Sequence, residues 1–254
     1  MRRLGNVGAA FAALMLAAPA GAQAPASRAA VDPAALKALQ DMGAYLRSVR
    51  AFQVRAVTTD EDVLEDGQKV QYEGTADIVA RMPSAVRAEV ASDRQERLWL
   101  YDGKSFTLYG RRPNLYATIP APPTVGQLAD ELDEKYGLSV PLADLFRWGQ
   151  PGWSTDGITA ATDLGPSVVG GTTCQQYAFR QAGIDWQLWI QKGDYPLPRK
   201  LVITTTTDEA RPQHTATFVW NLAPSFNDAA FTFDPPAGAG RVVLATAADA
   251  GAGQ

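Results

Sequence analysis

The sequence predicts a mainly β member of the α+β class, in which a curved antiparallel sheet, or incomplete barrel, is covered by an N-terminal helix and a two-helix lid. Residues 172–236 read as at least four consecutive strands rich in Trp, Phe, Tyr, Ile, Val and Thr, which favour a pleated, half-buried surface. Residues 51–119 alternate in the same way through about six strands. The apolar side chains between these runs have helical spacing. Such helices must bury their apolar faces, and the open face of the sheet is the available surface.

Short turn signals separate the predicted strands. Asp102-Gly103, between two aromatic runs, is a strong hairpin signal. We expect the last strand to close the sheet at Phe231-Thr232-Phe233, before a turn at Pro235-Pro236. The remaining turns are predicted at Glu65-Asp66-Gly67, Met82-Pro83-Ser84, Ser92-Asp93, Arg112-Pro113-Asn114, Gly170-Gly171, Ala182-Gly183, Gly193-Asp194 and Arg211-Pro212.

The N-terminus predicts export to the periplasm. Arg2 and Arg3 precede an apolar, Ala-rich run, and Ala20-Gly21-Ala22 has the small-x-small pattern that signal peptidase reads. An uncleaved N-terminal anchor is the alternative. We expect no other segment to span a membrane. The predicted organisation is a signal peptide at residues 1–22, a disordered leader at 23–31, one half-barrel domain at 32–244 and a disordered tail at 245–254.

Capping residues mark the predicted helices. Asp32 is a good N-cap and Pro33 suits the first helical position. In the insert between the two runs of strands, Thr124 begins a capping box and Gly137 ends the helix. Residues 139–148 are expected to form the second helix of the lid.

Apolar side chains on shared faces are the candidate ligand-binding residues. Alternate residues of a strand point the same way, so Trp186 and Leu188 share one face while Trp189 lies on the other. Such residues either fill a core under the helices or line a cavity that the helices fill only in part. The hypothetical pocket and lid consist of Trp99, Tyr101, Phe106, Leu128, Leu132, Leu145, Phe146, Trp186, Leu188, Phe218 and Trp220.

The order helix, strands, helices, strands resembles the lipoprotein-carrier (LolA/LolB-like) fold. Glu73-Gly74-Thr75-Ala76-Asp77 before Pro83, Asp102-Gly103-Lys104, and Phe231-Thr232-Phe233 before Pro235-Pro236 match motifs of that fold in order. The second half is more similar to a family of uncharacterised predicted periplasmic proteins that shares the fold. Its matching segments are Asp185-Trp186-Gln187-Leu188-Trp189-Ile190-Gln191 and Pro196-Leu197-Pro198-Arg199-Lys200.

One residue departs from the lipoprotein-carrier pattern. The resemblance would place an arginine that bonds to the lid immediately before the proline of the second strand, where this sequence has Met82. Arg81 is one residue away, and an offset of one in a strand points to the opposite face. We therefore do not expect the carrier's lid-gating bond in this chain.

Candidates for catalysis are weak. Cys174 and His214 are the only cysteine and histidine, and neither is marked as activated. One Cys and one His cannot supply a closed zinc site, so no metal and no cofactor are expected. The acidic groups Glu61-Asp62, Glu131 and Asp133-Glu134 are expected on solvated faces.

These features favour a non-enzymatic periplasmic binding protein that sequesters or shuttles an acyl chain, a lipid or a lipidated protein under its lid. An envelope protein-interaction or regulatory module is the alternative, and an enzyme of unknown type is the third. A carrier requires a closed pocket, whereas an interaction module requires an exposed patch or sheet edge. The net charge of −4 argues against nucleic acid. We expect a monomer.

Overall fold

A computed structural model of the protein describes residues 30–247. The predicted signal peptide and most of the predicted leader and tail lie outside these residues. The first helix, α1 (Pro33–Ser48), begins where it was predicted, because the Asp32 carboxylate accepts a hydrogen bond from the amide of Ala34 at 2.8 Å. Val31, the last residue of the predicted leader, forms a parallel bridge with Ala161.

Twelve strands form one sheet, and every hairpin turn predicted between strands of the two long runs is present. The strand order is β12-β6-β5-β4-β3-β2-β1-β11-β10-β9-β8-β7. The strands are β1 (Ala51–Val63), β2 (Lys69–Arg81), β3 (Ala85–Ser92), β4 (Glu96–Tyr101), β5 (Ser105–Gly110), β6 (Leu115–Pro120), β7 (Ile158–Val169), β8 (Thr172–Gln181), β9 (Ile184–Gln191), β10 (Pro198–Thr205), β11 (Gln213–Asn221) and β12 (Gly240–Arg241).

The sheet is antiparallel except at one edge. Strand β12 pairs in parallel with β6 over two residues, which makes the curved sheet mixed. Strand β1 pairs with β2 on one side and with β11 on the other, so it joins the two runs of strands into a continuous surface. We call the face that packs against the helices the inner face, and the opposite face the outer face.

The lid contains one full helix and one short helix. Helix α2 (Val125–Tyr136) is capped by the Thr124 hydroxyl and ends at Gly137, which has φ +62°, as predicted. The second helix, α3 (Asp144–Arg147), has only four residues, so the prediction of a helix over residues 139–148 is wrong for most of its length. Pro141 restricts the residue before it, and Leu142 has φ +53°, which interrupts a right-handed helix.

The C-terminal segment corrects another prediction. Phe231-Thr232-Phe233 is not a closing strand, because Asp228–Phe231 is a 3-10 helix and Phe233 follows in a loop. The ring of Phe233 packs on the outer face, with its centroid 5.5 Å from that of Tyr109 and 5.1 Å from that of Tyr116. This segment therefore covers apolar side chains on the outer face of β4–β6.

Candidate functional site

The eleven predicted pocket and lid residues lie in one apolar cluster between the inner face and the helices. Ten of them are buried, and Trp220 is partly buried against the same cluster. Under α2 the packing is close, because the cavity lined by Trp99, Phe106, Leu128 and Leu132 measures only about 20 Å³. That volume has room for about one water molecule, so α2 lies on a filled core.

The start of the lid is fixed to the sheet by polar bonds. The Tyr101 hydroxyl donates to the carbonyl of Pro122 at 2.5 Å, and the amide of Val125 donates to the carbonyl of Pro83 at 3.0 Å. Burial, with a further contribution from the charge of Asp102, raises the pKa of Tyr101 to about 12, so the hydroxyl keeps its proton at physiological pH. The N-terminal end of α2 is thereby held in place.

A larger space lies where the end of α1, the turn at Met82-Pro83 and α3 meet. This groove has a volume of about 500 Å³, within the range of ligand-binding sites. The core itself forms much of its floor, through Phe52, Leu145, Phe146 and other apolar side chains. The complete lining is Leu46, Arg47, Ser48, Arg50, Phe52, Met82, Pro83, Leu145, Phe146, Trp148 and Gln150.

Two arginines line the groove. Arg47 and Arg50 are exposed, and among residues 30–247 neither side chain forms an ion pair or a side-chain hydrogen bond. Met82 is partly buried against the core, whereas Arg81 lies outside and pairs with Asp228 at 2.6 Å. The groove therefore combines an apolar floor with unpaired positive charge, and Arg81 is turned away from it.

The short segment around α3 separates this groove from two other spaces. Phe146 lies between the groove and the small cavity under α2, since it lines both. Trp148 lies between the groove and a cavity of about 190 Å³ against β9 and β10, which Asp144 and Trp153 also line. A change in the positions of these two aromatic side chains would join the three spaces.

The outer face carries a further concave surface, larger than the groove beside α3. A groove of about 710 Å³ crosses β11, β1, β2, β3 and β4, and its floor includes Val57 and Val219, which are 56% and 64% exposed. Two ion pairs lie beside these valines, on the side of β2 and β3. Arg55 bonds to Asp77 at 2.9 Å, and Arg111 bonds to Glu89 at 2.8 Å.

Cys174 and His214 do not meet. Cys174 lies on the outer side of β8 with Trp189, while His214 is on β11 and places its Nδ1 2.6 Å from a carboxylate oxygen of Asp60. Two strands lie between them, which separates them by about 14 Å across the sheet, and the register places His214 level with Phe179 of β8, five residues along the strand from Cys174. Burial raises the pKa of the Cys174 thiol despite the charge of Arg199, which opposes thiolate formation. Residues 30–247 contain no group of three or more His, Cys, Asp and Glu side chains placed to hold a metal ion.

Among the lining residues of these sites that were not identified from the sequence are Arg47, Arg50, Asp144 and Trp153. The two arginines follow apolar residues at the end of α1. Basic residues are common at the ends of helices, so their positions did not indicate a binding site. Asp144 could have been identified from the sequence, because it is the only charged residue between Leu138 and Phe146 in a stretch of otherwise apolar and small residues.

Fold and site together define a mainly β protein with ligand-sized spaces beneath its helices. The chain belongs to the family described as Predicted periplasmic protein (DUF2092), which matches residues 35–245. No curated protein matches the chain at a significant level. Within the described part of the chain, none of the helices has the length and apolar character needed to cross a bilayer.

Several solved structures align over most of the chain at low identity. An uncharacterised conserved protein from Thermus thermophilus has 13% identity and a TM-score of 0.49, covering 80% of this chain and 98% of its own. LprF from Mycobacterium bovis has 14% identity and a TM-score of 0.43, covering 83% and 99%. The LolA superfamily protein NE2245 from Nitrosomonas europaea has 11% identity and a TM-score of 0.38, covering 77% and 98%.

Proposed function

We propose that this protein binds an acyl chain, carried by a lipid or by a lipidated protein, in the periplasm and without catalysing a reaction. The observation that carries the proposal is the groove of about 500 Å³ whose apolar floor is continuous with the core and whose rim holds Arg47 and Arg50. An acyl chain suits the floor, and an anionic group at its end suits the rim. Export with removal of residues 1–22 and a folded domain at 32–244 are part of this proposal.

A bound acyl chain would extend its contact with the protein by displacing the segment around α3. Phe146 and Trp148 separate the groove from the neighbouring spaces, so their movement opens a longer apolar path beneath residues 124–148. Each buried CH₂ contributes about 0.8 kcal/mol, which gives an upper bound of about 13 kcal/mol for a sixteen-carbon chain. Association costs several kcal/mol of this, so we expect affinity no tighter than the micromolar range.

Binding of a fluorescent fatty acid to the exported, purified protein tests the proposal, with the corresponding fatty alcohol as the uncharged comparison. We expect the double substitution Arg47→Gln, Arg50→Gln to weaken fatty-acid binding about 5- to 30-fold, since two exposed ion pairs contribute roughly 1–2 kcal/mol. Binding of the alcohol should change little. The matched control is Lys104→Gln with Arg241→Gln, which removes the same charge away from the groove.

Saturable binding that unlabelled lipid displaces, together with a loss specific to the groove variant, would support the proposal. If neither probe binds, the carrier function is wrong. Equal losses in the groove variant and in the control would show that net charge, and not the groove, attracts the fatty acid.

The outer groove favours a second function, the binding of an envelope protein. Val57 and Val219 are large exposed apolar side chains in the middle of the sheet, and two ion pairs lie next to them on the side of β2 and β3. An apolar centre with a polar rim is the usual composition of a protein interface. If no apolar probe binds the protein, this interaction function becomes the better supported of the two.

A further inference from the structure

The cavity of about 190 Å³ beside Trp148 is partly open to solvent, because Ser154 and Gly157 of its lining are exposed. It lies between the helices and the inner face of β9 and β10, and three indole side chains line it together with one carboxylate. These residues are Trp148, Trp153, Trp186 and Asp144. The cavity shares only Trp148 with the groove described above, so the two spaces can be tested separately.

The carboxylate of Asp144 has no direct partner. Among residues 30–247 its side chain forms neither a hydrogen bond nor an ion pair. The two nearby basic side chains have other partners. The Arg147 guanidinium lies 3.6 Å from the carboxylates of both Asp130 and Asp133, and the His214 ring bonds to Asp60. Burial raises the pKa of the Asp144 carboxyl, while the charges of Arg147 and His214 oppose this. A partly buried carboxylate that lines a cavity without a partner offers a counter-ion to a bound cation.

The other polar groups of the cavity limit the kind of cation. The Ser154 hydroxyl already accepts the amide of Asp156 at 3.0 Å, and the Gln181 side-chain oxygen accepts the indole N–H of Trp186 at 3.2 Å. A primary ammonium has three N–H donors, so besides Asp144 it would have to share the oxygens of Ser154 and Gln181 with the bonds that they already accept. A quaternary ammonium has no N–H donor and is bound by aromatic faces and a negative charge.

Metal ions fit this lining poorly. A single carboxylate supplies far fewer oxygen ligands than Ca²⁺ or Mg²⁺ requires, and zinc requires nitrogen or sulfur ligands in most sites. The ring of Trp186 is stacked on Phe179 with centroids 4.2 Å apart, which holds one wall of the cavity in a fixed position. A rigid aromatic wall suits an organic cation.

We propose that this cavity binds a small quaternary ammonium ion, with Asp144 as its counter-ion and Trp148, Trp153 and Trp186 as its aromatic walls. The site goes beyond acyl-chain binding, because its ligand is cationic and its space lies on the other side of Trp148. A ligand that occupied both spaces would carry its ammonium group here.

The test uses choline and 3,3-dimethylbutan-1-ol, which have nearly the same shape and differ in charge. We expect choline to bind the exported protein, measured by calorimetry and by the change in tryptophan fluorescence, and the neutral alcohol to bind at least tenfold more weakly. Asp144→Asn keeps the shape of the side chain and should weaken choline binding about tenfold or more. Asp156→Asn, an exposed carboxylate in the next loop, is the matched control and should bind as the wild type does.

A second variant and a second ligand distinguish loss of the cation site from a general change in the fold. Trp153→Leu should weaken choline binding while the far-UV circular dichroism stays unchanged, and a fluorescent fatty acid should still bind Asp144→Asn. Absence of choline binding, equal binding of the neutral alcohol, or unchanged binding to Asp144→Asn would each overturn the proposal. None of these results would affect fatty-acid binding at Arg47 and Arg50, so failure here differs from failure of the carrier function.

Discussion

The contact between α1 and the end of α3 gives the strongest prediction for stability. Gly149 has φ +72°, and a methyl group at this position would overlap the Arg47 guanidinium and lie 2.8 Å from the carbonyl carbon of Gly43. The guanidinium can move, but the helix backbone at Gly43 cannot move without repacking α1. We therefore expect Gly149→Ala to be destabilising for two separate reasons.

The magnitude follows from those two reasons. The left-handed backbone costs about 1–2 kcal/mol for a residue with a side chain. Overlap with the helix backbone adds about 1–3 kcal/mol, the usual cost of overpacking. The sum is about 2–5 kcal/mol, which corresponds to a fall in melting temperature of roughly 4–20 °C for a domain of this size.

Gly152→Ala is the matched control, because Gly152 has φ +88° and a methyl group there would meet nothing within 4 Å. It should show the backbone cost alone, a fall of roughly 2–8 °C in thermal unfolding followed by circular dichroism. The close contact is the reason for the difference between the two variants. Equal melting temperatures for Gly149→Ala and Gly152→Ala would refute it.

Two further predictions concern Asp144 and the lid. Burial raises the pKa of Asp144, so the folded state keeps this proton to higher pH than the unfolded chain, and the free energy of unfolding falls as pH rises through the raised pKa. Asp144→Asn removes that loss, so its melting temperature should rise relative to the wild type as the pH increases from about 4, the usual pKa of an aspartate; a constant difference would contradict the assignment. In hydrogen exchange, residues 139–148 should open faster than α2 and faster than residues 184–206, and fatty acid should slow them. Exchange as slow as that of the sheet would mean that the lid does not open.

The sequence predicts the regular elements well where local chemistry determines them. The Asp32 and Thr124 caps begin their helices as expected, because each side-chain oxygen accepts a backbone amide of the first turn. The alternation that placed Trp186 and Leu188 together, and Trp189 opposite, is correct, because side chains of a strand alternate between the two faces.

The errors arise where tertiary contacts decide the conformation. Phe231-Thr232-Phe233 has the alternation of a strand, but Phe233 packs on Tyr109 across the outer face without pairing in the sheet. The continuous apolar run of β4 could have predicted that the C-terminal segment covers the outer face. Leu98 and Leu100 lie on the outer face, and a strand that is apolar on both faces needs cover on both.

The candidate site was predictable only as an apolar cluster. All eleven predicted residues are in the core, yet the larger free spaces lie beside Trp148 and not beneath α2. Cavity volume depends on how well side chains from distant elements fit together, and residue spacing in one segment carries no information on that fit. The unpaired state of Asp144 depends likewise on Arg147 and His214 having other partners.

The position of the free space follows from the unequal support of the two lid helices. Helix α2 is capped at both ends, and bonds from Tyr101 and Val125 tie its start to the surrounding structure. The segment around α3 has only one helical turn, and its backbone hydrogen bonds are made within the segment itself. Displacing it breaks few hydrogen bonds to the sheet but exposes the buried side chains of Leu145, Phe146 and Trp148, whose apolar contacts a bound acyl chain would have to replace. Ligand binding is therefore expected to begin at Phe146 and Trp148, with α2 as the fixed part of the lid.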